Sequence, residues 1–264
     1  MVMKNITLLI STFIIILFSS WHNNLEQYDS NIKMQSKKAF SFGEKLKFKI
    51  SLGFFEAGHA ELEVVPYKKN KSHYHVIGLG YSNSAVDWFF KIRDKYETII
   101  DSSTLCPVEF IRSVEEGNAS FKQNYIFNQN DNSVFDGEKN ISTCKNIQDM
   151  VSCYFYARNL NLKSLKKGQI LTFPTFVDGE TFDLKVKYLG KDNIKVEAGK
   201  FKALKFCPVV QKGRVFKSEE SLTVWISDDY NKTPLLVKAK IWVGSIRMEL
   251  EEMNGQLNPS ELID

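Results

Sequence analysis

The sequence predicts an all-β protein, mainly antiparallel, forming a curved or closed β-barrel of about ten to thirteen strands with one amphipathic helix. Three observations carry this. Apolar and polar residues alternate with period two along most of the chain, tight-turn dipeptides fall between the alternating runs, and one segment alone carries full helical spacing.

At the N-terminus, Lys4 precedes an unbroken apolar and hydroxyl run from Ile6 to Phe18, then Ser19, Ser20 and the polar His22-Asn23-Asn24. This is the layout of a secretory signal, and the run is too short to cross a bilayer comfortably as a helix. Residues 1–20 therefore read as a signal peptide, 21–42 as a flexible lead, 43–256 as a single antiparallel β domain and 257–264 as a C-terminal tail. Phe18 stands where a signal peptidase wants a small side chain, so retention as an N-terminal anchor is the alternative. No cysteine follows the apolar run until Cys106, which argues against lipid attachment at a processed N-terminal cysteine.

The strands follow in order. From Lys45 to Leu52, Leu46, Phe48, Ile50 and Leu52 share one face and the lysines the other. The rhythm returns in Ala60, Leu62 and Val64, in Phe182, Leu184, Val186 and Tyr188, and in Leu222, Val224 and Ile226. It closes with Val237, Ala239, Ile241 and Val243 and then Ile246, Met248 and Leu250. One oily and one wet face is the behaviour of antiparallel sheets, since parallel strands covered on both sides read as continuous apolar runs. Asp136-Gly137, Asp178-Gly179 and Asn254-Gly255 supply turns that need positive φ. That many strands curl or close instead of staying flat.

Between Asn146 and Asn159, Ile147, Met150, Val151, Tyr154 and Phe155 make the stripe of an amphipathic helix, with Asn146 as cap, Asp149 in the first turn and Arg158 in the last. Such a helix buries its stripe most simply across the mouth or open side of a barrel. A weaker helical or looped stretch, Ser82 to Lys91, holds Trp88, Phe89 and Phe90. Three consecutive bulky rings cannot all point the same way, so at least one reaches a pocket, a partner or solvent; these three are the candidate ligand or partner contacts, with core packing the alternative.

Chemistry is sparse. Thirty-five basic and 31 acidic residues interleave with apolar ones, which points away from nucleic acid. His73 and His75 would share a strand face but lack a third ligand, so no metal is expected, and no cofactor loop accompanies Gly78-Leu79-Gly80. No nucleophile elbow or partnered cysteine stands out. Asp228-Asp229, ahead of Tyr230-Asn231-Lys232-Thr233-Pro234, read first as loop chemistry and second as a general acid/base pair. Four cysteines permit disulfides in an exported chain; Cys106 and Cys207 are the first pair to test, with four packed thiols the alternative.

Gly43-Glu44-Lys45-Leu46, Gly53-Phe54-Phe55-Glu56-Ala57-Gly58, the helix from Asp149 to Arg158, Glu197-Ala198-Gly199-Lys200-Phe201, and above all Val224-Trp225-Ile226-Ser227-Asp228-Asp229 with Pro234 and Gly244-Ser245-Ile246 together resemble the bacterial exported family called domain of unknown function 3108. The likeness runs from Gly43 to Gly255 and implies an exported bacterial β protein, in the periplasm or associated with the envelope, with no family catalytic residues to carry over. The closing block is distantly similar to the open barrels of periplasmic lipoprotein carriers and sorting factors. The function expected is non-enzymatic binding of a lipid or other hydrophobic ligand in the barrel. Peripheral membrane association is compatible with it. The alternatives are a structural module binding envelope proteins and a carboxylate-dependent hydrolase.

Overall fold

A computed structural model describes residues 32–209, 221–241 and 244–263 of the 264-residue chain; the signal-like segment lies outside them. Among the described residues fourteen strands form one sheet. They are β1 (Lys45–Leu52), β2 (Phe55–Pro66), β3 (Tyr74–Ser82), β4 (Arg93–Ile100), β5 (Pro107–Glu116), β6 (Ala119–Asn128), β7 (Ser133–Phe135) and β8 (Asn140–Ser142), followed by β9 (Ile170–Val177), β10 (Glu180–Val196), β11 (Gly199–Pro208), β12 (Leu222–Ser227), β13 (Pro234–Ile241) and β14 (Gly244–Asn254). Neighbours in sequence are neighbours in space, and β1 pairs with β14, so the order runs from β8 back to β1 and on from β14 to β9. Every ladder is antiparallel.

The antiparallel class holds, with two corrections. The strand number is fourteen because β7 and β8, three residues each, are too short to register as alternation. No ladder joins the edges β8 and β9 among the described residues, so the sheet is curled and open, not a hydrogen-bonded barrel.

The chain between those two edges fills the gap. Gln148 N donates to Pro174 O at 3.0 Å and Phe176 N to Gln148 O at 2.7 Å, a short parallel bridge onto β9. Helix α2 (Ser152–Arg158) then turns into the interior. It begins later than the spacing predicts: Asn146 sits at φ 58° in a turn, and the Asp149 carboxylate caps the helix by accepting from Val151 N at 2.7 Å and Ser152 N at 2.8 Å. The predicted stripe is nonetheless buried. Ile147, Met150 and Cys153 pack with Phe110 and Phe127 on one side and Phe173, Phe176 and Phe206 on the other. Phe155 packs with Phe40, Tyr74, Val76 and Ile100.

Residues 32–44 pack onto the sheet. Ala39 and Phe40 are buried, and Met34 bridges Leu160. A buried ion pair secures this end: Arg158 Nη1 and Nη2 donate to the Glu44 carboxylate at 2.5 and 2.7 Å, while Nε reaches Asn231 O at 2.8 Å. The tail docks too, through Leu262 against Phe201.

Cys106 and Cys207 are buried and not joined. Their strands run so that Cys106, just before β5, lies at the α2 end of the sheet, whereas Cys207, near the finish of β11, lies at the other. The sulfur of Cys106 instead neighbours Asn146 and Gln148.

Candidate functional site

Antiparallel connectivity puts alternate turns at alternate ends of the sheet. The end opposite α2 carries the β1–β2 turn, helix α1 (Ser84–Asp87), the β5–β6 turn and the β9–β10 turn. It is edged with aromatics: Phe54 in the first turn and Phe55 at the start of β2, and Trp88 and Phe89 after α1, are 106%, 81%, 91% and 56% exposed. Asn83 ties the two connections together, its N–H donating to Ala57 O at 3.0 Å and its amide to Glu56 O at 2.6 Å. Asp87 braces the loop through Arg93 at 2.6 Å and through the Ser82 hydroxyl, and these two partners hold its carboxyl below the ordinary range. Phe90, the third of the predicted contacts, turns the other way. Its ring lies over Gly117, where a Cβ would come within 2.7 Å of it.

Behind this rim the interior face carries polar side chains among apolar ones. Leu62, Gly78, Tyr96, Arg112 and Gln123 stand opposite one another across β2 to β6 in a single row. Ala60, Gly80 and Asp94 form the next row toward the rim. Tyr96 and Arg112 are buried, with Phe110 and Val114 flanking Arg112 in the same phase of β5. Ala60, Leu62 and Gly78 are only partly covered although they share that face. A Cβ at Gly78 or Gly80 would make ordinary contact with Tyr96 or Asp94 at 3.7–3.8 Å, so neither position is crowded.

Arg112 pairs with Asp178, the left-handed residue of the β9–β10 turn, and its guanidinium lies 4.8 Å from the Phe121 ring centroid. Gln123 Nε2 donates to the same Asp178 oxygen at 3.2 Å. Among the described residues, Arg112 Nε and Nη1, Tyr96 Oη and Gln123 Oε1 are buried without a hydrogen-bond partner. Burial, and then the charge of Glu116, push the Asp94 carboxyl up to about 8; burial likewise raises the Tyr96 phenol. The sequence reading missed this row. The available signal was an arginine where the alternation of β5 calls for an apolar side chain.

At the α2 end a cavity of about 130 Å³ is lined by Gln35, Lys163, Asp228, Tyr230, Lys232 and Glu261, among others. Lys232 donates to Gln35 Oε1, and burial pushes its amine down to about 8. Asp229 caps a turn, accepting from the Ser227 hydroxyl at 2.7 Å, Asn231 N at 2.9 Å and Lys232 N at 3.0 Å. Asp228 pairs with Lys191 at 2.7 Å. Both carboxylates are thus engaged in holding the loop. His75 pairs with Glu97 at 2.8 Å, while His73 lies near Asn70. Among the described residues no group of three or more metal-ligating side chains converges, and no helix is long and apolar enough to cross a membrane.

The family model for a protein of unknown function, DUF3108, matches residues 47–251, from β1 to β14. The chain belongs to DUF3108. No curated protein matches it. This DUF3108 chain is similar in structure to a β-barrel-like protein of domain of unknown function DUF1849 from Brucella abortus, with a TM-score of 0.54 and 9% identity over 82% of this chain and 98% of that one. That likeness concerns the fold alone. Weaker matches are a candidate lipoprotein from Parabacteroides distasonis (TM-score 0.35, 11% identity, 81% and 96% covered) and a candidate exported protein with a YmcC-like fold from Bacteroides fragilis (TM-score 0.32, 8% identity, 81% and 97% covered).

Proposed function

We propose that this DUF3108 protein is an exported, non-enzymatic envelope protein that binds a lipid at the aromatic-rimmed end of its open sheet. The observation that carries the reading is the rim. Four large aromatics on two tethered connections stand in water, where burying each would gain about 1.5–3 kcal/mol. Behind them Ala60, Gly78 and Gly80 give the β2–β3 wall short side chains, against which an apolar chain would meet backbone. The signal-like N-terminus, Lys4 followed by the Ile6–Phe18 run, supports export.

The test is titration of the purified protein with an environment-sensitive apolar probe, followed by displacement with phospholipid. Saturable, displaceable binding is expected, and the double variant Trp88→Ala/Phe89→Ala is expected to weaken it about tenfold or more, since both side chains are solvent-exposed and their loss leaves the core intact. Binding that is absent, or indifferent to the double variant, contradicts the assignment.

A second reading, a structural module that binds another envelope protein, is favoured by the packing of α2 against both halves of the sheet, which fills the interior at its own end. Under that reading the rim variant keeps its fold and loses a protein partner, not a lipid.

A further inference from the structure

We infer that Arg112 is the anchor for the anionic head group of the amphiphile, and that Asp178 occupies its place until the ligand arrives. The inference rests on the lipid-binding reading above and deepens it.

Arg112 is 2% exposed, and a buried guanidinium in a position of apolar phase is costly unless its donors are used. Only part of that requirement is met from within the chain. Nη2 bonds Asp178, while Nε and Nη1 point at no acceptor among the described residues. The hydroxyl of Tyr96 and the amide oxygen of Gln123, its two neighbours across the ladders, are equally without partners. Two buried side chains, Arg112 and Tyr96, and the half-buried Gln123 beside them thus carry unpartnered polar atoms that a head group with several oxygens and a proton would satisfy.

Asp178 has the properties of a displaceable stand-in. Its side chain is 49% exposed, it comes from a two-residue turn, and it reaches Arg112 from the far side of the seam where no ladder closes the sheet. A half-exposed carboxylate surrenders its ion pair to a ligand carboxylate or phosphate at little cost, because it returns to water. The ligand's chain then lies along Gly78, Gly80 and Ala60 toward the rim.

The experiment compares palmitate, hexadecanol and inorganic phosphate on wild type, Asp178→Asn and Arg112→Gln, with folding followed by circular dichroism. Asparagine tolerates the left-handed backbone at this turn, so Asp178→Asn keeps the fold. The expected result is palmitate binding that tightens about tenfold in Asp178→Asn and weakens about tenfold in Arg112→Gln, with hexadecanol indifferent to both. Phosphate alone competing as well as palmitate would identify a simple anion site and overturn the amphiphile assignment. Should Arg112→Gln not fold, the Asp178→Asn comparison decides: palmitate binding no tighter than wild type sinks the inference. Hexadecanol bound, with palmitate no better and insensitive to Asp178, overturns the head-group site and leaves lipid binding standing. Failure of both chains to bind wild type removes the underlying reading as well.

Discussion

Asp94 shows how one side chain sets the pH response of the rim end. It faces the interior opposite Gly80, and its Oδ1 accepts from Glu115 N at 3.2 Å. With its pKa raised from 3.8 to about 8, the native state holds a proton that the unfolded chain has released across that window. Stability therefore falls as pH rises from about 4 to 8, at most by about 1.4 kcal/mol per pH unit, and is fully present only below the unfolded value. Asp94→Asn keeps an acceptor for Glu115 N and removes the titration. Urea midpoints between pH 5 and 8 are expected to fall less steeply in the variant, which becomes the more stable protein above pH 7. An unchanged slope would place the titration elsewhere. Residues of this kind were poorly legible in the sequence. An aspartate next to a lysine in a strand reads as solvent-facing, and only the register that pairs it with Gly80 shows that it points inward. Trp88, Phe89 and Phe90 were legible as a set, yet their division, two outward and one over Gly117, depends on a contact distant in sequence.

The elements themselves were read from spacing, and their errors have one cause. Ile147 falls eight residues before Phe155, a helical spacing, and is buried as that spacing requires, but the backbone beside it, at Gln148, is bridged to β9 instead of coiled. Periodicity reports which residues are covered, not the hydrogen bonds beneath them. Close approaches between strands are hidden for the same reason. Gly58 sits where β1 shifts register against β2, and a Cβ there would lie 2.1 Å from Tyr81 O. That obstacle is backbone, so β3 would have to move. Gly58→Ala is expected to cost about 1–3 kcal/mol or more, measured by chemical denaturation. Gly137→Ala, where nothing lies within 4 Å of the added carbon, provides the contrast: it bears only the strain of its φ of +102°. Equal losses in the two variants would refute the crowding at Gly58.

At the level of the whole molecule, β1 pairing with β14 draws the two ends of the meander together and, among the described residues, leaves the β8 and β9 edges without a ladder between them. The alternation of the strands predicted the curl; the opening was not predictable, because whether edges meet depends on twist accumulated over the whole sheet. The lead and the helix seal the end away from the rim. Phe40 packs edge-on to Phe155 at 4.6 Å and Tyr74 at 4.9 Å, and its guanidinium neighbour Arg158 is 5.3 Å from the ring. Phe40→Ala is expected to lower stability by about 3–5 kcal/mol, in one cooperative transition, although the residue precedes the first strand. A loss below about 1 kcal/mol would show that residues 32–42 contribute little to folding.

The two ends thus differ: the α2 end is tied by the Glu44–Arg158 ion pair and holds the small polar cavity beside Lys232, and the rim end presents aromatics outside and the Arg112 row within. Native mass spectrometry of the protein, purified gently without detergent exchange or organic solvent from the cells that express it, tests this most directly. The account predicts a population heavier than the polypeptide by the mass of one amphiphile, lost on organic extraction and depleted in Trp88→Ala/Phe89→Ala. A protein that flies repeatedly at its bare polypeptide mass, and gives an extract without lipid, would contradict it.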